Sequence, residues 1–150
     1  MKRIGRYLKG TADRGMVIKP DSNLGLDLYA DADFAGLFAV EDKEDPVCVR
    51  SRTGWLLTLG GVPVTWSSKL QTEIALSTME AEYIALSMGM RELVGSRKLM
   101  KEITIRCNLK RIETSKVSRV YEDNEATLKH AVTALPKLSP RTKHIAVKYH

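Results

Sequence analysis

Three acidic residues are placed where they could do chemistry: Asp31, Glu82 and Asp123. Asp31 lies in "LDLYADADFAG", residues 26 to 36. Read as a strand, this stretch puts Leu26, Leu28 and Ala30 on one face and Asp27, Tyr29, Asp31 and Asp33 on the other. Carboxylates sharing a strand face repel one another, and aspartate is a poor strand residue. Asp123 follows Tyr121 by two positions in "SRVYED", as Asp31 follows Tyr29. Glu82 stands at the margin of a helical apolar stripe, with Leu86 at i+4 and Gly89 at i+7. If the first and fourth strands are neighbours, the two aspartates meet at one edge of the sheet, and the helix can bring Glu82 to the same place. Such a cluster costs several kcal/mol unless it is protonated or binds a cation. Oxygen ligands with no His or Cys beside them favour magnesium or manganese over zinc. Two such ions, roughly 3.5–4 Å apart, can activate a water and stabilise a leaving oxygen in phosphodiester cleavage. Singly, each acid has a plain structural use, as a turn former, a helix cap or a solvated edge residue. Spacing alone does not make the chain an enzyme.

The elements that must position these groups are legible in outline. Ile4, Tyr7 and Leu8 recur at helical spacing and Gly10 stops that short helix. "LFAVEDKEDPVCVRSR" is charged, contains Pro46 and reads as a loop. "TGWLLTLGGVPVTWSS" reads as a hairpin of Trp55–Leu59 and Val62–Trp66 about Gly60-Gly61. Ser77 and Glu80 fit a capping box that opens a long helix. Its stripe is Met79, Tyr83, Leu86, Met90, Leu93 and Val94, and it runs to about Ile105, with Gly95 a candidate bend. On this reading Glu80 points to Arg91 and solvent. A fourth strand is predicted over 118–123, then a helix in "NEATLKHAVTAL" ended by Pro136, and another starting near Pro140. The order β-β-β-α-β-α-α predicts an α/β fold, a mixed sheet whose first three strands form an antiparallel meander.

The 150 residues fit one domain, 43% apolar and 28% charged. No apolar run approaches the roughly 20 residues of a membrane span, and the basic start lacks a signal peptide's apolar segment. Cys48 and Cys107 are too few for a disulfide framework and read as ordinary thiols. The net charge of +6 is uneven: residues 21–48 carry eight acids against Lys43, whereas residues 1–20, 91–111 and 129–150 are each strongly basic. An acidic centre with basic flanks suits a cation site approached by a polyanion, but on charge alone a set of solvated faces is the favoured reading.

The motifs together are more specific. In order, "YADADFAG", "SRTGWLLTLGGVPVTWSSKLQ", "STMEAEYIAL", "YEDNEAT" and "SPRTKHIAVKYH" resemble the ribonuclease H domain of copia-type retrotransposon polyproteins. "GRYLKGTADRGM" resembles the segment joining reverse transcriptase to that domain. The resemblance therefore implies residues 1–20 as a connection segment and 21–150 as an RNase H-like domain. It implies the RNase H-like fold, a five-stranded mixed sheet with a parallel fourth strand and helices on both faces. It implies cleavage of the RNA strand of an RNA–DNA hybrid with two magnesium or manganese ions, leaving 5′-phosphate and 3′-hydroxyl ends. Asp31, Glu82 and Asp123 match the family's first three carboxylates, as catalytic residues and metal ligands. Lys69, Ser77 and Thr78 lie just before the site helix, as candidate contacts to phosphate or sugar. The implied partners are the hybrid and the reverse transcriptase of the same polyprotein. The implied location is intracellular, a cytoplasmic virus-like particle with access to the nucleus.

Two departures stand beside these matches. Ala146 replaces the aspartate of the family's "RTKHID". The sequence given stops at His150, so on this resemblance the fifth strand, the last helix and the fourth carboxylate are missing. His144 belongs to the "RTKH" motif and is read as a surface or packing residue. A truncated or decayed domain that keeps the fold without cutting, acting at most as a nucleic-acid-binding or interaction module, therefore stays open beside the nuclease. A different RNase H-like nuclease or transposase fits "WSSK" and "AEYIAL" less well.

Overall fold

The computed structural model describes residues 2–15, 17–38, 44–45, 47–109 and 117–133. The helix predicted near Pro140, Pro136, His144 and Ala146 lie outside the described residues.

These residues form a four-stranded mixed sheet and three helices. The strands are β1 (Leu26–Asp33), β2 (Arg52–Leu59), β3 (Val62–Leu70) and β4 (Val120–Tyr121), in the order β3-β2-β1-β4. The helices are α1 (Lys2–Gly10), α2 (Thr78–Arg106) and α3 (Glu125–Val132). β1–β2 and β2–β3 are antiparallel, as the meander reading predicts, and β1–β4 is parallel, as the resemblance implies. The hairpin is longer than its apolar pattern shows, because Arg52 pairs with Leu70 beyond the aromatic residues. Gly60 and Gly61 turn it with φ of 61° and 79°, the doubly left-handed geometry of a type I′ turn. A register shift at Leu57/Thr58 places Pro63 beside an irregularity on an edge strand, where its missing N–H is tolerated.

Alternation sorts the sheet into two faces. Leu26, Leu28 and Ala30 of β1 and Leu57 of β2 point to α2 and are buried with its Leu86 and Leu93; Trp55, Leu59 and Val120 pack around them. A Cβ at Gly89 would meet Leu28 Cδ1 at 2.8 Å and Trp55 Cβ at 3.3 Å, so the missing side chain lets α2 lie close on the sheet. Ala75, Ala81 and Ile84 form a second cluster with Ala32 and Met88. The stripe that touches the sheet is thus Leu86, Gly89 and Leu93, whereas Met90 and Val94 are exposed. The predicted stripe was too wide because it counted apolar residues and omitted the glycine at the point of closest approach.

The second sheet face carries Tyr29, Tyr121 and Trp66, all exposed. The expected helices on both faces are seen on one face only among the described residues. Trp66 is 69% exposed, and its cross-strand neighbour Leu56 lies on the same uncovered face. Asp27 is 2% exposed, because Arg119 folds over it with its backbone N–H and its Nη2, each at 2.9 Å. Cys48 is buried and Cys107 exposed, both as free thiols. No helix among the described residues is long and apolar enough to cross a membrane.

Candidate functional site

The site is assembled at the carboxyl ends of the parallel pair β1 and β4. Asp31 sits near the end of β1, opposite Gly54 of β2. β4 is shorter than predicted: it ends at Tyr121, and Asp123 stands in the loop before α3 rather than at a strand end. That loop is held by Asn124, whose side chain accepts the Thr127 N–H at 3.0 Å and caps α3. Thr127, fully buried, donates its hydroxyl to the Met79 carbonyl at 3.2 Å and ties α3 to the first turn of α2. Tyr29 and Tyr121, each two residues before its aspartate, stack at 4.5 Å and lock the strands in register.

Glu82 comes from α2. Ser77 caps that helix by accepting the Glu80 N–H at 3.1 Å. The Glu80 carboxylate turns back to accept the Leu76 N–H at 2.8 Å and is buried, so it does not point to Arg91 and solvent. The Ser77–Glu80 cap forms with its return bond on Leu76, the residue before the cap, and it engages the acid that the sequence reading turned to solvent. Two residues further on, Glu82 is only 5% exposed.

One carboxylate oxygen from each of Asp31, Glu82 and Asp123 lies within 4.8 Å of the other two. Asp31 and Asp123 are exposed and Glu82 is buried beneath them. Burial pushes the Glu82 carboxyl up to about 7, and the charges of Glu122, Asp31 and Asp123 push the same way. A hydrogen bond from the Ala32 backbone amide opposes them. Glu82 Oε2 is buried with no hydrogen-bond partner. A buried carboxylate oxygen without a donor is an unmet acceptor, which a hard cation would satisfy. The donor set is all oxygen, so the three residues fit magnesium or manganese and do not resemble a zinc site.

Glu122 was missed in the sequence. Burial pushes its carboxyl up to about 7 as well, against a hydrogen bond from the Asn124 backbone N–H at 3.2 Å, with Asp123 and Asp31 adding to the rise. Its Oε2 is also buried without a partner. The signal was available: the alternation that turns Val120 to the core turns Glu122 the same way, one residue out of phase with Asp123.

The other candidates are placed less specifically. Lys69 is exposed on β3, opposite Thr53. Ser77 and Thr78 are exposed at the start of α2, and Ser77 already serves as its cap. Arg97, in the basic stretch 91–111, donates to Ser118 Oγ at 2.6 Å and braces the approach to β4.

Fold and site together define an α/β domain with a carboxylate triad at the end of a parallel strand pair. The chain is 36% identical over all 150 residues to the retrovirus-related Pol polyprotein from transposon RE1 of Arabidopsis thaliana, and covers 9% of it. Identity and coverage are the same for the Pol polyprotein from transposon RE2 of that plant. For the Pol polyprotein from transposon TNT 1-94 of Nicotiana tabacum, identity is 33% over 150 residues and coverage 10%. Homologues of this chain are thus retrovirus-related Pol polyproteins of transposons, and the chain spans about a tenth of their length. No protein-family model matches the chain, and no solved structure matches it.

Proposed function

We propose that this chain is the ribonuclease H domain of a retrotransposon polyprotein and cuts the RNA strand of RNA–DNA hybrids with two divalent ions. The observation that carries the reading is the convergence of Asp31, Glu82 and Asp123 from β1, α2 and the β4–α3 loop, with Glu82 Oε2 buried and unpartnered. Relatives that are retrovirus-related Pol polyproteins support it.

Asp31, Glu82 and Asp123 would hold the ions. Bound there, magnesium or manganese supplies a nucleophile at neutral pH and stabilises charge on the phosphate. Asp31 and Asp123 face solvent, so the scissile phosphate reaches them without any opening of the fold. Glu82 gives up its proton as the site fills, and the Ala32 amide keeps its carboxylate aimed at Asp31. The oxygen of water joins phosphorus, the P–O3′ bond breaks, and the 3′ oxygen leaves as a hydroxyl. The products are 5′-phosphate and 3′-hydroxyl ends. Lys69, Ser77 and Thr78 would serve as contacts to phosphate or sugar, which carry shape and backbone recognition rather than base sequence.

The partners on this reading are the hybrid and the other domains of the same polyprotein, reverse transcriptase among them. α1 suits that contact: it buries none of its residues, and Ile4, Tyr7 and Leu8 are exposed beside four basic side chains.

The test is incubation of the chain with a labelled RNA–DNA hybrid and magnesium, beside Asp31→Asn and Glu82→Gln. Cleavage by the parent chain that both variants lose is the expected result. Cleavage that survives in both variants, or no cleavage by the parent, overturns the proposal.

A further inference from the structure

Gln71 is the last residue of "WSSKLQ" and follows β3 directly. It is 3% exposed, and its side chain makes two bonds to parts of the chain that are distant in sequence. Its Nε2 donates to Thr53 Oγ1 of β2 at 3.0 Å and to the Ala81 carbonyl of α2 at 3.0 Å. A carbonyl can only accept, so the amide nitrogen must face Ala81. The Gln71 backbone N–H is held by the Ser51 carbonyl at 2.8 Å, which fixes where the side chain starts.

These bonds lie beside two of the three carboxylates, Asp31 and Glu82. Thr53 pairs with Ala32, the residue after Asp31. Ala81 precedes Glu82, and the Ala32 amide bonds the Glu82 carboxylate. Sheet and helix are therefore joined twice, within one residue of the two acids that must meet. A helix resting on apolar contacts alone can slide or rotate at small cost, because such contacts are not directional. A hydrogen bond to a particular carbonyl of the first turn sets both rotation and height.

We propose that Gln71 is the positioning residue of this site: its amide clamps the first turn of α2 to β2 in the one register that holds Glu82 against Asp31. The role of the triad as a cation site is the reading given above, and the inference rests on it for its metal readout only. Gln71 touches none of the three carboxylates and acts through Ala81.

The experiment compares the parent chain with Gln71→Met, which keeps the length and removes the donor. Thr53→Val and Thr53→Ser are added, the second retaining the acceptor. Leu93→Ala serves as a destabilised control, since Leu93 is buried at the far part of the same helix. Amide hydrogen exchange at Ala32 without metal reads the Glu82 bond directly. Manganese affinity, followed by electron paramagnetic resonance, reads the assembled site. Gln71→Met and Thr53→Val are expected to speed Ala32 exchange about tenfold while Leu28 and Leu57 stay protected. They are expected to weaken manganese binding about tenfold, the scale of a supporting residue behind a ligand. Thr53→Ser is expected to behave as the parent, and Leu93→Ala to lose thermal stability without either change. Unchanged Ala32 exchange in Gln71→Met overturns the inference, and so does a matching change in Leu93→Ala. Equal manganese binding by the parent and Asp31→Asn overturns the cation-site reading instead, and leaves the exchange result to decide on Gln71.

Discussion

Glu82 is held against Asp31 from below: a carboxylate oxygen of each falls within 4.8 Å of the other, yet one side chain is buried and the other exposed. The Ala32 amide, next to Asp31 in the chain, bonds the buried partner. Without a cation, folding puts an acid into a place that disfavours its charge. The molecule gives up stability there, and the proposed cation would offset that cost.

Glu82→Gln is therefore expected to stabilise the metal-free protein. The amide keeps the shape and an acceptor for Ala32 but carries no charge. At pH 8 the gain is about 1–2 kcal/mol, and near pH 4.5 it vanishes, because Glu82 is then neutral too. Urea unfolding at the two pH values measures it. A variant less stable than the parent at pH 8 would show that Glu82 is not strained by burial.

The pH profile of the parent follows from the same groups. Glu82 and Glu122 ordinarily titrate at 4.5 and are pushed up to about 7 in the fold. Between those values the native state holds protons that the unfolded chain has released. Stability from these groups is thus highest below about 4.5, falls as pH rises toward 7, and is level above that. The fall is on the order of 2 kcal/mol, after allowing for solvent screening. Unfolding midpoints across this range in the absence of divalent ions test the sign.

Cation binding has the opposite dependence. The acids must be deprotonated to serve as ligands, so binding releases protons and strengthens as pH rises. Millimolar magnesium is expected to raise the thermal midpoint of the parent, more at pH 8 than at pH 6. Asp31→Asn should show no such rise at either pH. A rise of equal size in that variant would locate the ion elsewhere.

Asp27 and Arg119 make the joint between β1 and β4 outside the site. Asp27→Ala leaves the Arg119 backbone N–H without its acceptor and is expected to destabilise by about 2–3 kcal/mol. Arg119→Lys keeps that backbone bond and a positive charge, and should be milder. Chemical denaturation gives both values, and a larger loss in Arg119→Lys would contradict the assignment of the joint to Asp27.

The two glycines of α2 should respond in opposite directions. Gly95 has nothing within 4 Å of the position a Cβ would take, so Gly95→Ala gains helix propensity, roughly 0.5–1 kcal/mol. Gly89→Ala drives a methyl into Leu28 and Trp55 and is expected to lose about 1–3 kcal/mol despite the same propensity. Thermal midpoints of the two variants decide between packing and propensity at Gly89.

Much of this protein is local, and the sequence by itself determined that part. Alternation in "LDLYADAD", the Gly60-Gly61 turn and the Ser77–Glu80 cap each depend on a few adjacent residues, so the meander and the long helix could be read directly. Asp31, Glu82 and Asp123 could be picked out because acids at strand ends and stripe margins lack a simple core use. Only the tertiary structure decided what each acid does. Asp27 is buried because Arg119, distant in sequence, closes over it. Glu80 turns back to cap its own helix. Glu122 joins the site because β4 is short and its alternation faces α2. Gln71 gains its partners only where the packing of α2 brings Ala81 to its amide. Burial, charge coupling and hydrogen-bond partners arise between segments that the chain keeps far apart. A sequence pattern sets which face a residue takes on its own element, but what waits on that face is set by how the elements pack.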